Sequence, residues 1–180
     1  QYPRSGERHG IIHCQVTNHD QLDRMKAMDL IAYIQPIFLN YDISIIDDRI
    51  GSKRASTSYN WKEFLDKGIP ISGGSDCPVE SLDIMDNIYA AVTRKTLKGE
   101  PDGGWRPDQC ISVEDALESF TMGGAYASFS EDRKGSITPG KVADLAVLSA
   151  DLLAVEPDAI KDIEVLQTYL NGELVFDRAA

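Results

Sequence analysis

Three short apolar runs constrain this chain more than any other feature: Gly10-Ile11-Ile12-His13-Cys14, Leu30 to Ile34, and Ile69-Pro70-Ile71-Ser72. Each is rich in Ile and runs into a polar residue, His13, Gln35 and Asp76 respectively. Apolar runs of this length without alternation read as strands buried on both faces of a parallel sheet. Between the first two, Asn18 or Asp20 can cap a helix whose apolar positions Leu22, Met25 and Met28 recur at helical spacing. Before the third, Trp61, Phe64 and Leu65 share one face of a short helix over residues 60–67, with Gly68 placed to stop it. After it, Leu82, Met85, Ile88, Tyr89 and Val92 mark an amphipathic helix from Ser81 to about Lys95. Strands alternating with helices imply βα units.

Residues 40–58 are polar and irregular and read as a long loop, a feature that in a compact domain is usually functional or disordered. Residues 99–107 have the Gly and Pro density of a second loop. Ser112 opens a further helix, with Asp115 completing a capping box and Ala116, Leu117 and Phe120 facing inward. The pattern then changes character. Residues 135–141 form a turn, 142–148 a strand, and 163–170 with 173–176 a hairpin around Asn171-Gly172. This antiparallel tail places a boundary near residue 130, dividing the chain into 1–130 and 131–180.

A length of 180 residues suits one ordinary domain but falls short of the roughly 250 that a complete eight-stranded α/β barrel needs. The 18 basic and 29 acidic residues leave a net charge of −11, which argues against a nucleic-acid partner. No apolar run approaches the ~20 residues of a membrane span, and the amino-terminal residues lack a signal-peptide core. A cytoplasmic protein with no membrane partner is the expectation. Cys14, Cys77 and Cys110 are far apart with no C-x-x-C pair, which excludes a disulfide or zinc-finger framework.

Chemistry in parallel α/β folds sits at the carboxyl ends of the strands, which directs attention to His13, Gln35 and Asp76. Each has a plain structural reading. His13 can be a hydrogen-bonded, partly buried residue, Gln35 a strand terminus, and Asp76 the cap of the helix that follows it. None identifies a function alone.

Together, GIIHCQ at 10–15, IPISGGSDCPVE at 69–80 and above all GSITPGKVADLAVLSAD at 135–151 resemble the amidohydrolase superfamily, and within it the YtcJ-like branch that includes exoenzyme regulatory proteins and N-substituted formamide deformylases. The resemblance runs from about Arg8 to Phe176. It implies the last three βα units of a TIM (β/α)8 barrel over residues 1–130, strands six to eight, followed over 131–180 by antiparallel strands of the small β-sandwich that flanks the barrel.

On that map His13 matches the metal-binding histidine ending the sixth strand. Asp76 matches the aspartate after the eighth, which in the family touches the metal and serves as the base toward the attacking water. The family's H-x-H pair, bridging acidic residue and further histidine come from earlier strands. His9, His13 and His19 are the only histidines here, and neither His9 nor His19 matches a family ligand. The resemblance therefore implies a divalent metal, zinc foremost, in a full-length parent, and no tightly held metal in these residues alone. Ile12 stands where the family's I-E-H commonly has its glutamate. Arg54 and Arg94 resemble positions where the family carries arginines near the pocket mouth, and Trp105, in the glycine-rich loop, is a third candidate substrate contact; solvated arginines and a loop-anchoring Trp are the plain readings.

The implied activity is hydrolysis of a C–N bond in a small amide or formamide-like, non-peptide substrate. The implied partners are that substrate, the missing amino-terminal half of the barrel and, through exposed sheet edges, a second copy of the chain. The chain alone is expected to be inactive. A non-catalytic binding or regulatory protein on the same scaffold is the alternative. A phosphate-binding α/β protein is weaker, since Gly73-Gly74-Ser75 lacks a P-loop lysine and G-x-G-x-x-G is absent.

Overall fold

The computed structural model describes residues 6–179, which form a mixed α/β fold. The first strand, β1 (Gly10–Ile12), is followed by helix α1 (His19–Ala27). Asn18 caps that helix through a reciprocal capping box: its side chain accepts from the Gln21 amide at 2.9 Å, and the Gln21 side chain accepts from the Asn18 amide at 2.9 Å. Leu22 and Met25 face inward, but Met28 lies past the last turn and is 56% exposed. Strand β2 (Ile31–Ile34) follows, then a single 3-10 turn over Pro36–Phe38.

The polar run 40–58, expected as a loop, folds into three very short helices: α2 (Leu39–Asp42), α3 (Ile46–Ile50) and α4 (Ser52–Ala55). Leu39, Ile46 and Ala55 are buried and pin one turn each to the core. Helices of four or five residues are too short to show a 3.6-residue apolar period, so the sequence pattern hides them.

Helix α5 (Trp61–Asp66) buries Trp61 and Phe64 and leads into β3 (Ile71–Gly73), shifted toward the carboxyl side of the expected run. Helix α6 (Ile84–Thr93) begins three residues later than its pattern suggests, because Asp83 caps it by accepting from the Met85 amide at 2.9 Å; Leu82 is left outside and 76% exposed. Helix α7 (Val113–Phe120) has the expected Ser112 cap, which accepts from the Asp115 amide at 3.0 Å, and runs almost directly into α8 (Met122–Ala127). That junction needs glycine: a Cβ on Gly123 would stand 2.3 Å from the Ile71 carbonyl oxygen, so α8 packs against the backbone of β3.

The three strands form a parallel sheet in the order β1-β2-β3, in register Ile12 with Tyr33 and Tyr33 with Ser72. β2 is central, and its Ile31, Ala32 and Ile34 are buried. β1 is an edge, and here the expectation of a buried strand fails: Ile11 is 44% and Ile12 66% exposed. The apolar residues are as the sequence placed them, but among the described residues nothing covers their outer side. Gly10 begins this strand because a Cβ there would lie 2.2 Å from the Tyr33 ring.

The second sheet is antiparallel, ordered β4 (Leu145–Leu148), β5 (Val165–Leu170) and β6 (Glu173–Asp177). Asn171 and Gly172, with φ of 52° and 81°, make the tight turn between β5 and β6. A 3-10 segment over Pro157–Asp162 ties the tail to the parallel unit: Ile160 is buried, Lys161 Nζ donates to the Leu97 carbonyl at 2.7 Å, and Lys95 pairs with Asp158 at 2.8 Å.

Candidate active site at the carboxyl edge of the parallel sheet

Because the three strands are parallel and adjacent, their following residues emerge on one edge of the sheet. His13 follows β1 directly, Gln35 follows β2 directly, and Asp76 lies in the loop after β3. The backbone there is unusual. His13, Cys14 and Asp76 have φ of 71°, 47° and 60°, a left-handed region uncommon for residues other than glycine, and such backbone clusters at functional sites.

His13 is partly buried, and its Nδ1 lies 2.8 Å from Oε1 of Gln35. Its ring sits 5.5 Å from that of Phe38, tilted by 34°. Gln35 is 9% exposed, so the plain reading of it as a mere strand terminus omits a side-chain contact. The turn behind it is fixed to α6, where Asn87 Oδ1 accepts from the Ile37 amide at 3.1 Å. Asp76 is exposed; its carbonyl accepts from the Val79 amide at 2.8 Å, and its carboxylate is not the cap of α6, a role that belongs to Asp83.

A polar network that the sequence did not reveal holds the segment after His13. The Tyr59 hydroxyl donates to Asp42 Oδ2 at 2.5 Å, and Gln15 Nε2 donates to the Tyr59 oxygen at 2.7 Å and to Asp42 Oδ2 at 3.2 Å. The Tyr59 amide also donates to the Gln15 carbonyl at 2.9 Å. Burial, and then the adjoining Asp42, pushes the Tyr59 phenol upward, which keeps it a neutral donor. Nothing in the spacing of Gln15, Asp42 and Tyr59 signals their meeting, since α2 carries Asp42 on a single turn.

The three other candidates do not gather around His13 as a set. Arg54 is exposed on α4, with its Nε donating to the Ile50 carbonyl at 2.7 Å. Arg94 is neither solvated nor at an open mouth: it is 0% exposed, donating from Nε to the Trp105 carbonyl at 2.7 Å and from Nη1 to the Tyr59 carbonyl at 2.9 Å. Its guanidinium stands 4.7 Å from the centre of a Trp61 ring and 5.1 Å from one of Trp105. Burial first, then the Arg106 charge, pushes it down to about 9, so it remains cationic at neutral pH. Trp105 is half-buried, and its amide donates to the Arg94 carbonyl at 2.8 Å, so the loop over residues 99–107 is fastened through Arg94.

A groove of about 540 Å³ runs along the open side of β1 and α1, lined among others by Ile11, Ile12, His13, Met25 and Met28. Among the described residues no group of three or more His, Cys, Asp or Glu side chains is arranged to hold a metal ion. Catalytic zinc keeps three protein ligands. His13 and Asp76 therefore do not by themselves fit a catalytic metal. No helix of the described residues is long and apolar enough to cross a membrane.

YtcJ of Bacillus subtilis (strain 168), named as an amidohydrolase, is 32% identical over 177 residues, covering 98% of this chain and 34% of YtcJ. An N-substituted formamide deformylase of Arthrobacter pascens is 32% identical over 117 residues, 65% of this chain and 21% of that enzyme. Among solved structures, an uncharacterized metal-dependent hydrolase from Pyrococcus horikoshii OT3 superimposes with a TM-score of 0.74 at 30% identity, over 84% of this chain and 31% of that one. The chain thus spans about a third or less of the length of each. The sequence model of the amidohydrolase family matches residues 1–176, and the chain belongs to that family.

Proposed function

We propose that these residues act as the carboxyl-terminal portion of a metal-dependent amidohydrolase that hydrolyses a C–N bond in a small amide or formamide-like substrate. In this reading residues 1–130 are the last three βα units of a (β/α)8 barrel and residues 131–180 belong to its flanking β-sandwich. The observation that carries the reading is the carboxyl edge of the parallel sheet, where His13, Gln35 and Asp76 emerge from adjacent strands. Family membership and the formamide deformylase among the relatives support the reaction class.

His13 would supply one ligand to a divalent metal, with zinc the candidate, whose remaining ligands come from strands outside these residues. Such a metal, when bound, polarises a carbonyl and makes water acidic near neutral pH. Asp76, exposed and without a side-chain hydrogen bond among the described residues, is the base: it takes a proton from the water that attacks the carbonyl carbon and returns it to the departing nitrogen as the C–N bond breaks. A positioned base contributes about 10²–10⁴-fold.

The 180 residues alone are then expected to hold no stoichiometric zinc and to show no turnover. Metal analysis of the purified chain after zinc loading and desalting, with an assay on simple formamides and amides, tests this. One bound zinc per chain with hydrolysis would overturn the proposed division of the site.

A further inference from the structure

We infer that Gln35 is a positioning residue that fixes the tautomer of His13, placing the proton on Nδ1 and leaving the Nε2 lone pair free. This rests on the reading of His13 as a metal ligand and deepens it. A neutral imidazole carries one proton, and a ring nitrogen that hydrogen-bonds a pure acceptor is the one that holds it. Gln35 Oε1, at 2.8 Å from Nδ1, is an acceptor only. The ring nitrogen facing it is therefore the donor, and the other is the one that can bind a cation.

Several features make Gln35 suited to this. It sits at the end of the central strand, immediately before Pro36, whose ring locks the chain at the start of a 3-10 turn. Asn87 on α6 holds that turn through the Ile37 amide. The side chain is nearly buried, so water competes little for its carbonyl oxygen. His13 directly follows an edge strand, beside the exposed Ile12, and its left-handed backbone takes it out of the strand register. Orientation of the ring accordingly comes from the segment after β2, from the Gln35 side chain and the Phe38 ring. An outer partner of this kind typically changes metal affinity or activity 10–100-fold when removed.

The test is the nitrogen NMR spectrum of the chain labelled with 15N-histidine, at about pH 8 where an ordinary imidazole is neutral. His13 is assigned by comparison with His13→Asn. The expected result is a protonated Nδ1 and an unprotonated Nε2 for His13, lost in Gln35→Leu and retained in Gln35→Glu, whose carboxylate also accepts. His9 and His19 should be unchanged. An Nε2–H tautomer in the unmodified chain, or one indifferent to Gln35→Leu, overturns the inference. Should Gln35→Leu fail to fold, the spectrum of the unmodified chain and of Gln35→Glu still decides it. Zinc added alone separates this claim from the ligand reading. A shift at His13 Nε2 exceeding those of His9 and His19 supports the ligand, and equal shifts at all three count against it. Neither outcome alters what the tautomer says of Gln35.

Discussion

Arg8 and Glu131 meet across 123 positions of sequence, the guanidinium gripping both carboxylate oxygens while lying 3.8 Å from the centre of the Tyr126 ring. The contact fastens the residues leading into β1 to the segment after α8, joining the two ends of the parallel unit. The Arg8 hydrogen bond, more than any other influence, holds the Glu131 carboxyl at about 2, below its ordinary 4.5. A depressed carboxyl contributes stability that is fully present above its unfolded value and is lost as pH falls through the folded one. Glu131→Gln is therefore expected to lower Tm at about pH 6, with the gap to the unmodified chain closing between about pH 4.5 and 2. Thermal melts across that range check it, and a gap independent of pH would contradict the pairing.

Arg94 is expected to matter for stability more than for substrate binding. Its loss strands the buried Tyr59 carbonyl and the partly buried Trp105 carbonyl, at about 1–3 kcal/mol each. For a chain of this size about 2–4 °C of Tm accompanies each kcal/mol, so Arg94→Ala should lower Tm by at least about 4 °C. Arg94→Lys should fall too, because one ammonium cannot span two carbonyls and two indole faces. A melt of Arg94→Ala within about 2 °C of the unmodified chain would refute this role.

How much of this was legible in the sequence follows from chemistry that is local or long-range. The strands β1 to β3, the Asn18 and Ser112 caps and the Asn171-Gly172 turn are local signals, read from a few adjacent residues. His13 and Asp76 were found because strand ends are where such folds place polar groups, and the family resemblance then gave each a role. The burial of Arg94 is not legible, because no local pattern says that Trp61 and Trp105 close over it. The Gln15-Asp42-Tyr59 network and the Gln35 contact were missed for the same reason: each joins side chains 17 or more positions apart. The exposure of Ile11 and Ile12 follows from the place of β1 at the edge of the sheet, which composition does not report.

That open edge leads to an association prediction. An uncapped, apolar edge strand invites pairing with another chain, and Ile12 is its most exposed member at 66%, beside Ile11 at 44%. The chain is expected to self-associate at micromolar concentration and to bind an apolar-surface dye. Ile12→Lys places a charge on the edge and should shift sedimentation toward monomer with weaker dye binding. Unmodified chain that sediments as a monomer without dye binding would count against an exposed edge of consequence.

The most direct measurement is the zinc content and turnover of a full-length barrel carrying these residues, unmodified and as His13→Ala and Asp76→Asn. Loss of zinc in His13→Ala, with zinc retained and turnover reduced about 10²–10⁴-fold in Asp76→Asn, is the expected pattern. Full zinc content in His13→Ala together with undiminished turnover in Asp76→Asn would contradict the assignment of the site to the carboxyl edge of this sheet.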